Sequence, residues 1–371
     1  VRVLYFTRDY TPHDHRFLSA LAATPHEIYA LRLERRGMQR EDRPLPPQVT
    51  QIPWRGGQEP ARWRDYPALL RDLNRVLREV QPDVIHAGPV PTVALLAAFS
   101  RRRCPLVSMS WGSDLLMDAA RSRWDRWCAR AALRRSGALL ADCQAVANAA
   151  AALGFPRERM LLFPWGVDLT HFHPGAAEVL RGRRGWQNAF VLLSVRSWEP
   201  IYGVDVLARA FALAVREAPE LRLALLGGGS QAGLLRKIFE NAGVSDLVFF
   251  GGRVGNEDLP QMYRAADLYV STSHSDGSSV SLLEAMACGK PALVSDIPGN
   301  REWVTLGENG WWFPDGDVAA LARRMVEAAH TSSEQLTQMS ARARSTAESR
   351  ADWSENQKKI VQAYELAMKK E

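Results

Sequence analysis

The chain is expected to be an α/β protein of two doubly wound parallel-sheet units, and three features of its 371 residues lead there. Short apolar strands alternate with helix-length amphipathic stretches, the alternation restarts near residue 190, and a segment rich in Pro, Gly and Arg divides the two series. Strand and helix in alternation imply parallel pairing with helices covering both faces of a sheet. A chain of this length can bury two separate cores.

In order, Val-Arg-Val-Leu-Tyr-Phe at 1 to 6 opens a buried strand, followed by a polar segment from 7 to 16 and a helix to about 23. Further strands are predicted near 27 to 33, 84 to 86, 106 to 110, 138 to 141 and 160 to 163, with helices around 66 to 80, 91 to 100, 120 to 135 and 144 to 153. The second series predicts strands at 190 to 195, 221 to 226, 247 to 250, 268 to 271 and 292 to 295. Its helices fall near 204 to 217, 231 to 242, 257 to 265 and 281 to 288, and residues 317 to 371 pattern mostly as helix. Pro174, Gly175, Gly182 and Gly185 among arginines predict a linker over 169 to 188, so the domains run 1 to 168 and 189 to 351. Open parallel sheets bind ligands beyond the carboxyl ends of their strands, and two such units facing each other are expected to form a cleft.

Composition narrows the class. With 46% hydrophobic and 24% charged residues the protein is of the soluble globular kind. No apolar run reaches the roughly 18 residues of a membrane span, and the first residues enter a strand at once, so a cytoplasmic protein is expected. The four cysteines, Cys104, Cys128, Cys143 and Cys288, have neither paired nor metal-ligand spacing and are expected to be buried thiols. Residues 1 to 175 carry 25 Arg against 17 Asp and Glu, a balance of +8, which leaves −2 for the rest of a chain of net charge +6. Such a basic half suits an anionic acceptor or weak peripheral contact with the inner face of a membrane, or is solvated arginine. Nothing beyond that charge argues for nucleic acid.

The most informative run is Ser-Asp-Gly-Ser-Ser-Val-Ser-Leu-Leu-Glu-Ala-Met-Ala-Cys-Gly-Lys-Pro at 275 to 291. A polar, glycine-bearing turn leads directly into a helix, so the amides of Gly277, Ser278, Ser279, Val280 and Ser281 point towards an anion. Asp276 and Glu284 flank that place and, being acceptors only, suit the hydroxyls of a sugar or ribose. This run resembles the signature of glycosyltransferase family 4, retaining enzymes of the two-domain GT-B fold that use nucleotide sugars. The family's first glutamate is here Asp276.

The resemblance implies roles for further residues. Arg196 and Gly203, in Ser-Val-Arg-Ser-Trp-Glu-Pro-Ile-Tyr-Gly at 194 to 203, match the family's diphosphate-binding stretch, but its lysine is here Tyr202. Arg253 and Val254 match the base-binding segment, Arg253 being the nearest cation to compensate for Tyr202. Glu284 is implied to accept the ribose hydroxyls, and Asp276 those of the donor sugar. Trp111, in Leu-Val-Ser-Met-Ser-Trp-Gly-Ser-Asp at 106 to 114, stands where the family has a histidine beside the reacting carbon. Trp165 replaces the asparagine of another family turn, and Trp198 is a third aromatic expected at the cleft, although any single Trp is ordinarily core.

Acceptor recognition is assigned to Asp14, His15 and Arg16 in the polar segment, to His86 at the end of a buried strand, and to Asp114 and Trp165. Helix capping is the competing role of Asp14, and a satisfied core histidine that of His86. The basic helix at 121 to 135 is expected to pack its Trp face on the sheet and solvate its arginines, with a peripheral membrane helix as the alternative. The reaction is then metal-independent, same-face transfer of a hexose-type sugar from a uridine or guanosine diphosphate donor to a small-molecule, glycan or lipid-linked acceptor, without a cofactor. Catalytic weight falls on Arg196, Asp276 and Trp111, the first domain holds the acceptor, and the helix at about 352 to 371 returns to it. The alternative is a weakened homologue that binds a sugar nucleotide or glycan without transfer, because Tyr202 and Trp111 replace catalytic-type residues.

Overall fold

The computed structural model describes residues 1–35, 41, 43–101 and 103–369 and comprises two compact units, Val1–Phe163 with Glu355–Glu371, and Pro164–Ser354. In the first unit the strands are β1 (Arg2–Thr7), β2 (Glu27–Arg32), β3 (Val49–Gln51), β4 (Val84–Gly88), β5 (Leu106–Met109), β6 (Ala138–Ala141) and β7 (Met160–Leu162). They lie parallel in the order β3-β2-β1-β4-β5-β6-β7. The order reverses between β1 and β4, where Thr7 pairs with Gly88. The edge strand β3 was not anticipated, since of its three residues only Val49 is buried. Helix Tyr66–Val80 shows why the interior strands are apolar throughout: Leu69, Leu73, Val76, Leu77 and Val80 form one buried stripe that covers the sheet.

The segment expected to be a loop up to Arg16 is already helix from Pro12 to Ala22. Thr11 caps it and Asp14 closes a capping box, the Thr11 hydroxyl accepting from the Asp14 amide and Asp14 Oδ2 accepting from the Thr11 amide at 2.9 Å. At the other end of the chain, helix Lys358–Met368 packs on β5 and β6. Gly137 permits that contact, because a Cβ there would stand 3.0 Å from the Ala367 methyl. Residues 370 and 371 of the predicted terminal helix lie outside the described residues.

The second unit holds β8 (Phe190–Ser194), β9 (Leu221–Leu226), β10 (Val248–Gly252), β11 (Leu268–Ser271), β12 (Ala292–Ser295) and β13 (Gly310–Phe313), parallel in the order β10-β9-β8-β11-β12-β13. Strand β13 was not anticipated either. It begins at Gly310 because a side chain there would strike the Ala292 carbonyl of β12.

Residues 169 to 188 are not a linker. They contain helix Glu178–Arg184, ended by Gly185 in the left-handed region at φ 68°, and they bury Phe172 and Trp186 in the core of the second unit. Arg181 anchors the stretch by donating to the Ala265 and Ala189 carbonyls and pairing with Asp267 at 3.0 Å. Gly185 and Arg181 thus serve as a cap and an anchor here. Trp186→Ala is expected to destabilise this unit by about 3–5 kcal/mol in denaturant unfolding, whereas a substitution in a true linker would change it by no more than about 0.5 kcal/mol.

Candidate active site

The second sheet reverses its order between β8 and β11, the kind of position outside which parallel sheets bind ligands. Arg196 lies two residues beyond β8, and the 275 to 291 run begins just beyond β11. That run starts helix Val280–Ala287, with Ser279 at its extended cap position (φ −64°, ψ 112°). The Ser279 hydroxyl does not cap the helix; it accepts from Arg196 Nη1 at 2.7 Å, with Ser281 Oγ at 3.2 Å. Arg196 Nη2 pairs with Asp276 Oδ2 at 2.6 Å, and the guanidinium lies over the Tyr202 ring, 4.3 Å from its centroid. Burial works against the charge, but the Asp276 carboxylate outweighs it, so the group is held above the ordinary arginine range. Its Nε is buried with no acceptor. A buried cation with an unspent donor at a helix N-terminus is a site for an anion.

Neighbouring side chains hold this turn. Tyr269 shares a 2.7 Å hydrogen bond with Ser281 Oγ, and Trp303 Nε1 donates to Ser278 Oγ at 3.2 Å. The Gly277 amide donates to Asp276 Oδ1 at 3.1 Å, and a Cβ on Gly299 would stand 2.6 Å from the Gly277 carbonyl. One turn into the helix, Glu284 Oε2 accepts from the hydroxyl of buried Tyr263 at 2.8 Å. Burial and then the Glu284 charge raise the Tyr263 pKa, so the phenol stays a donor. No feature of the sequence had linked Tyr263 to Glu284, because their pairing depends on two helices meeting.

Tyr202 and Gly203 lead into helix Val204–Ala214. Gly203 is left-handed at φ 56°, and a side chain there would strike the Thr272 carbonyl and stand 3.1 Å from His274 Nε2. His274 Nδ1 donates to Asp315 Oδ1 at 2.7 Å. His274 was also missed, although its place two residues before Asp276 was a usable signal. Arg253, exposed, and Val254 follow β10, on the far side of β9 from Arg196. The glycines after β9 fit against protein backbone: a Cβ on Gly227 would stand 2.7 Å from the Arg196 carbonyl, and one on Gly229 2.5 Å from that of Trp198.

Several residues assigned to the acceptor or the cleft are core. His86 is wholly buried, bonded through Nδ1 to the Tyr364 hydroxyl at 2.8 Å and edge-on to Tyr5; burial pushes its pKa down to about 3. Asp14 is wholly buried, where it serves the capping box and accepts from Tyr5 at 2.9 Å. Buried Asp114 accepts from the Val90 amide at 2.8 Å, the Trp111 amide at 2.9 Å and Ser110 Oγ at 2.6 Å, and so ties the turn after β5 to the one after β4. Desolvation, opposed by those bonds, pushes each of these two carboxyls up to about 6. Trp165 and Trp198 are buried in the second unit, Trp198 edge-on to Phe250.

Trp111, His15 and Arg16 remain half-exposed. Trp111 lies 5.9 Å from His13, ring centre to ring centre, and His15 Nδ1 bonds Tyr10 at 2.7 Å. Beside β1 and β2 a cavity of about 300 Å³ is lined by Tyr10, Arg32, Arg35, Glu41 and Arg43 among others.

Comparison with known proteins matches residues 13–171 to the model described as Glycosyltransferase Family 4 and residues 178–346 to Glycosyl transferases group 1. A D-inositol 3-phosphate glycosyltransferase of Streptomyces scabiei is 34% identical over 177 residues, 45% of this chain and 40% of that protein. Its counterpart in Thermomonospora curvata is 37% identical over 173 residues, 42% and 40% of the two chains. The matches thus span less than half the length of these curated relatives. Among solved structures, Anabaena HepE in complex with UDP-glucose superposes with a TM-score of 0.80 at 20% identity, over 98% of this chain and 99% of that one. Sucrose-phosphate synthase of Thermosynechococcus elongatus gives 0.80 at 17% identity, over 98% of both.

The core placement of His86 has a pH consequence. Between its ordinary value of 6.5 and about 3, the unfolded chain binds a proton that the folded chain refuses, so this group makes stability fall as pH falls through that window. His86→Phe is expected to flatten the dependence of unfolding free energy on pH there by up to about 1.4 kcal/mol per pH unit, measured by denaturant titration at several pH values.

Proposed function

The chain belongs to glycosyltransferase family 4, with the GT-B fold, and from that membership we propose that it transfers a hexose-type sugar from a uridine diphosphate donor, with retention of configuration. A guanosine diphosphate sugar is the second donor to test. The observation that carries this reading is Arg196, a buried cation with an unspent Nε donor beside the start of helix Val280–Ala287. A HepE complex containing UDP-glucose, on the same fold, supports the choice of uridine.

In this reading the donor diphosphate sits at that helix start, facing Arg196 and the amides of residues 277 to 281. Glu284, aimed by Tyr263, accepts the ribose hydroxyls, Asp276 accepts from the sugar, and the backbone of Arg253 and Val254 meets the base. His274, oriented by Asp315 beside Gly203, takes over the polar role of the lysine replaced by Tyr202. The acceptor oxygen attacks the anomeric carbon on the face from which the diphosphate departs, and a phosphate oxygen receives the acceptor's proton. Positioning and electrostatics supply the rate, with neither a protein nucleophile nor a metal.

The acceptor is a small molecule, glycan or lipid-linked species bearing an anionic group. The names of the curated relatives include an inositol phosphate, and the cavity in the first unit carries Arg32, Arg35 and Arg43. Among the described residues no helix is long and apolar enough to cross a membrane. Binding without transfer is the second reading, favoured by Tyr202 and Trp111 at catalytic-type positions.

A melting panel with UDP, GDP, ADP and their sugar conjugates is expected to show stabilisation by uridine ligands, followed by slow release of sugar from the best donor. A parent that binds and never turns over with any acceptor, but gains turnover as Tyr202→Lys, would establish the second reading. Arg196→Ala is expected to lower kcat by about a hundredfold to a thousandfold, or ~2.7–4 kcal/mol. His274→Ala is expected to act chiefly by raising the donor KM, read from initial rates at varied donor.

A further inference from the structure

Helix Arg123–Leu133 solvates its arginines as expected, but its indoles stay outside as well. Cys128, Ala129, Ala131, Ala132 and Leu133 face inward, while Trp124 and Trp127 are 54% and 49% exposed. The two indoles stack, with centroids 5.0 Å apart and planes 18° from parallel. Other elements extend the stack at both ends. Trp63 meets Trp124 edge-on at 6.0 Å and has Tyr66 beside it at 4.6 Å, and Phe99 lies 6.2 Å from Trp127. Trp63 is 48% exposed and Phe99 41%. Five rings from four elements of the first unit thus form a continuous aromatic ridge, and an exposed cluster of that kind marks an interaction surface.

Charge selects the occupant. Arg123, Trp127, Arg130 and Arg134 follow one another at helical spacing and form a single stripe, with Arg126 beside it, and all four arginines are exposed. Arg62 and Arg64 bracket Trp63, and the Arg135 guanidinium lies 4.4 Å from the Phe99 ring centre. Residues 121 to 135 hold six arginines against Asp125 alone, and that carboxylate is engaged by Arg121 and Ser122 at the helix start. Aromatic rings set among guanidinium groups match the headgroup zone of an anionic bilayer, with the rings at the acyl boundary and the arginines on lipid phosphates. A stacked glycan or nucleobase fits less well, because Trp124 and Trp127 already spend one face each on the other. We infer that this ridge docks the first unit peripherally on an anionic lipid surface. The inference does not depend on the donor or the reaction proposed above.

The test is co-sedimentation with phosphatidylcholine vesicles containing about one-third phosphatidylglycerol, and with pure phosphatidylcholine, at low and high salt. The parent is compared with W124A/W127A and with R123Q/R126Q/R130Q. The parent is expected to bind the anionic vesicles, to bind neutral ones weakly and to be released by salt, and each variant is expected to lose roughly tenfold or more in partitioning. Because the substituted residues are exposed and lie in the other unit from the donor site, both variants are expected to keep the parent melting temperature and donor hydrolysis. A parent that ignores anionic vesicles, or variants that bind them as well as the parent, would overturn the inference. So would a parent whose vesicle binding is unchanged in the variants while they lose binding to a soluble polysaccharide, to single-stranded RNA or to a second copy of the chain, measured by pull-down and by sedimentation velocity.

Discussion

The buried guanidinium of Arg196 is the constraint around which the second unit's functional edge is arranged. A charge taken out of water is tolerated only when partners surround it, and here Asp276, Ser279, Ser281 and the Tyr202 face supply that shell. Each partner is delivered by a different consequence of the parallel sheet. Strand β8 sets the arginine, the turn after β11 sets the carboxylate and hydroxyls, and the left-handed Gly203 lets the Tyr202 loop close against Thr272. The same geometry leaves one buried guanidinium donor, Nε, without a hydrogen-bond acceptor.

The first unit uses buried polar groups differently. Asp14, Asp114 and His86 all lie near the carboxyl ends of its strands, and each is consumed by structure: a helix start, a pair of loops and the returning terminal helix. Their perturbed pKa values follow from burial and do not require chemistry. Of the other candidates in this unit, Trp111, His15 and Arg16 stay partly exposed.

Legibility in the sequence tracked how local each determinant was. The alternation of strands and helices, the two-unit division and the 275 to 291 run are carried by contiguous residues, and they could be read directly. Strands β3 and β13 could not, since three or four edge residues carry no periodicity. Residues 169 to 188 read as a linker because composition does not show that Trp186 and Phe172 have a core to enter. Helix Arg123–Leu133 keeps its arginines in water as its composition suggests, but its Trp face and its Ala and Cys face are both apolar, and only close packing selects the smaller side chains for the inside.

By itself the sequence determined the fold class, the family and the group of residues around Arg196, Asp276 and Glu284, because strand periodicity and the helix-start motif are short-range properties of the chain. Tertiary structure decided which histidines and carboxylates are spent on the core, that Tyr263 aims Glu284, that His274 stands beside Gly203, and which tryptophans reach the surface. Those outcomes depend on burial and on contacts between residues far apart in the chain, and no local pattern of residue types encodes them.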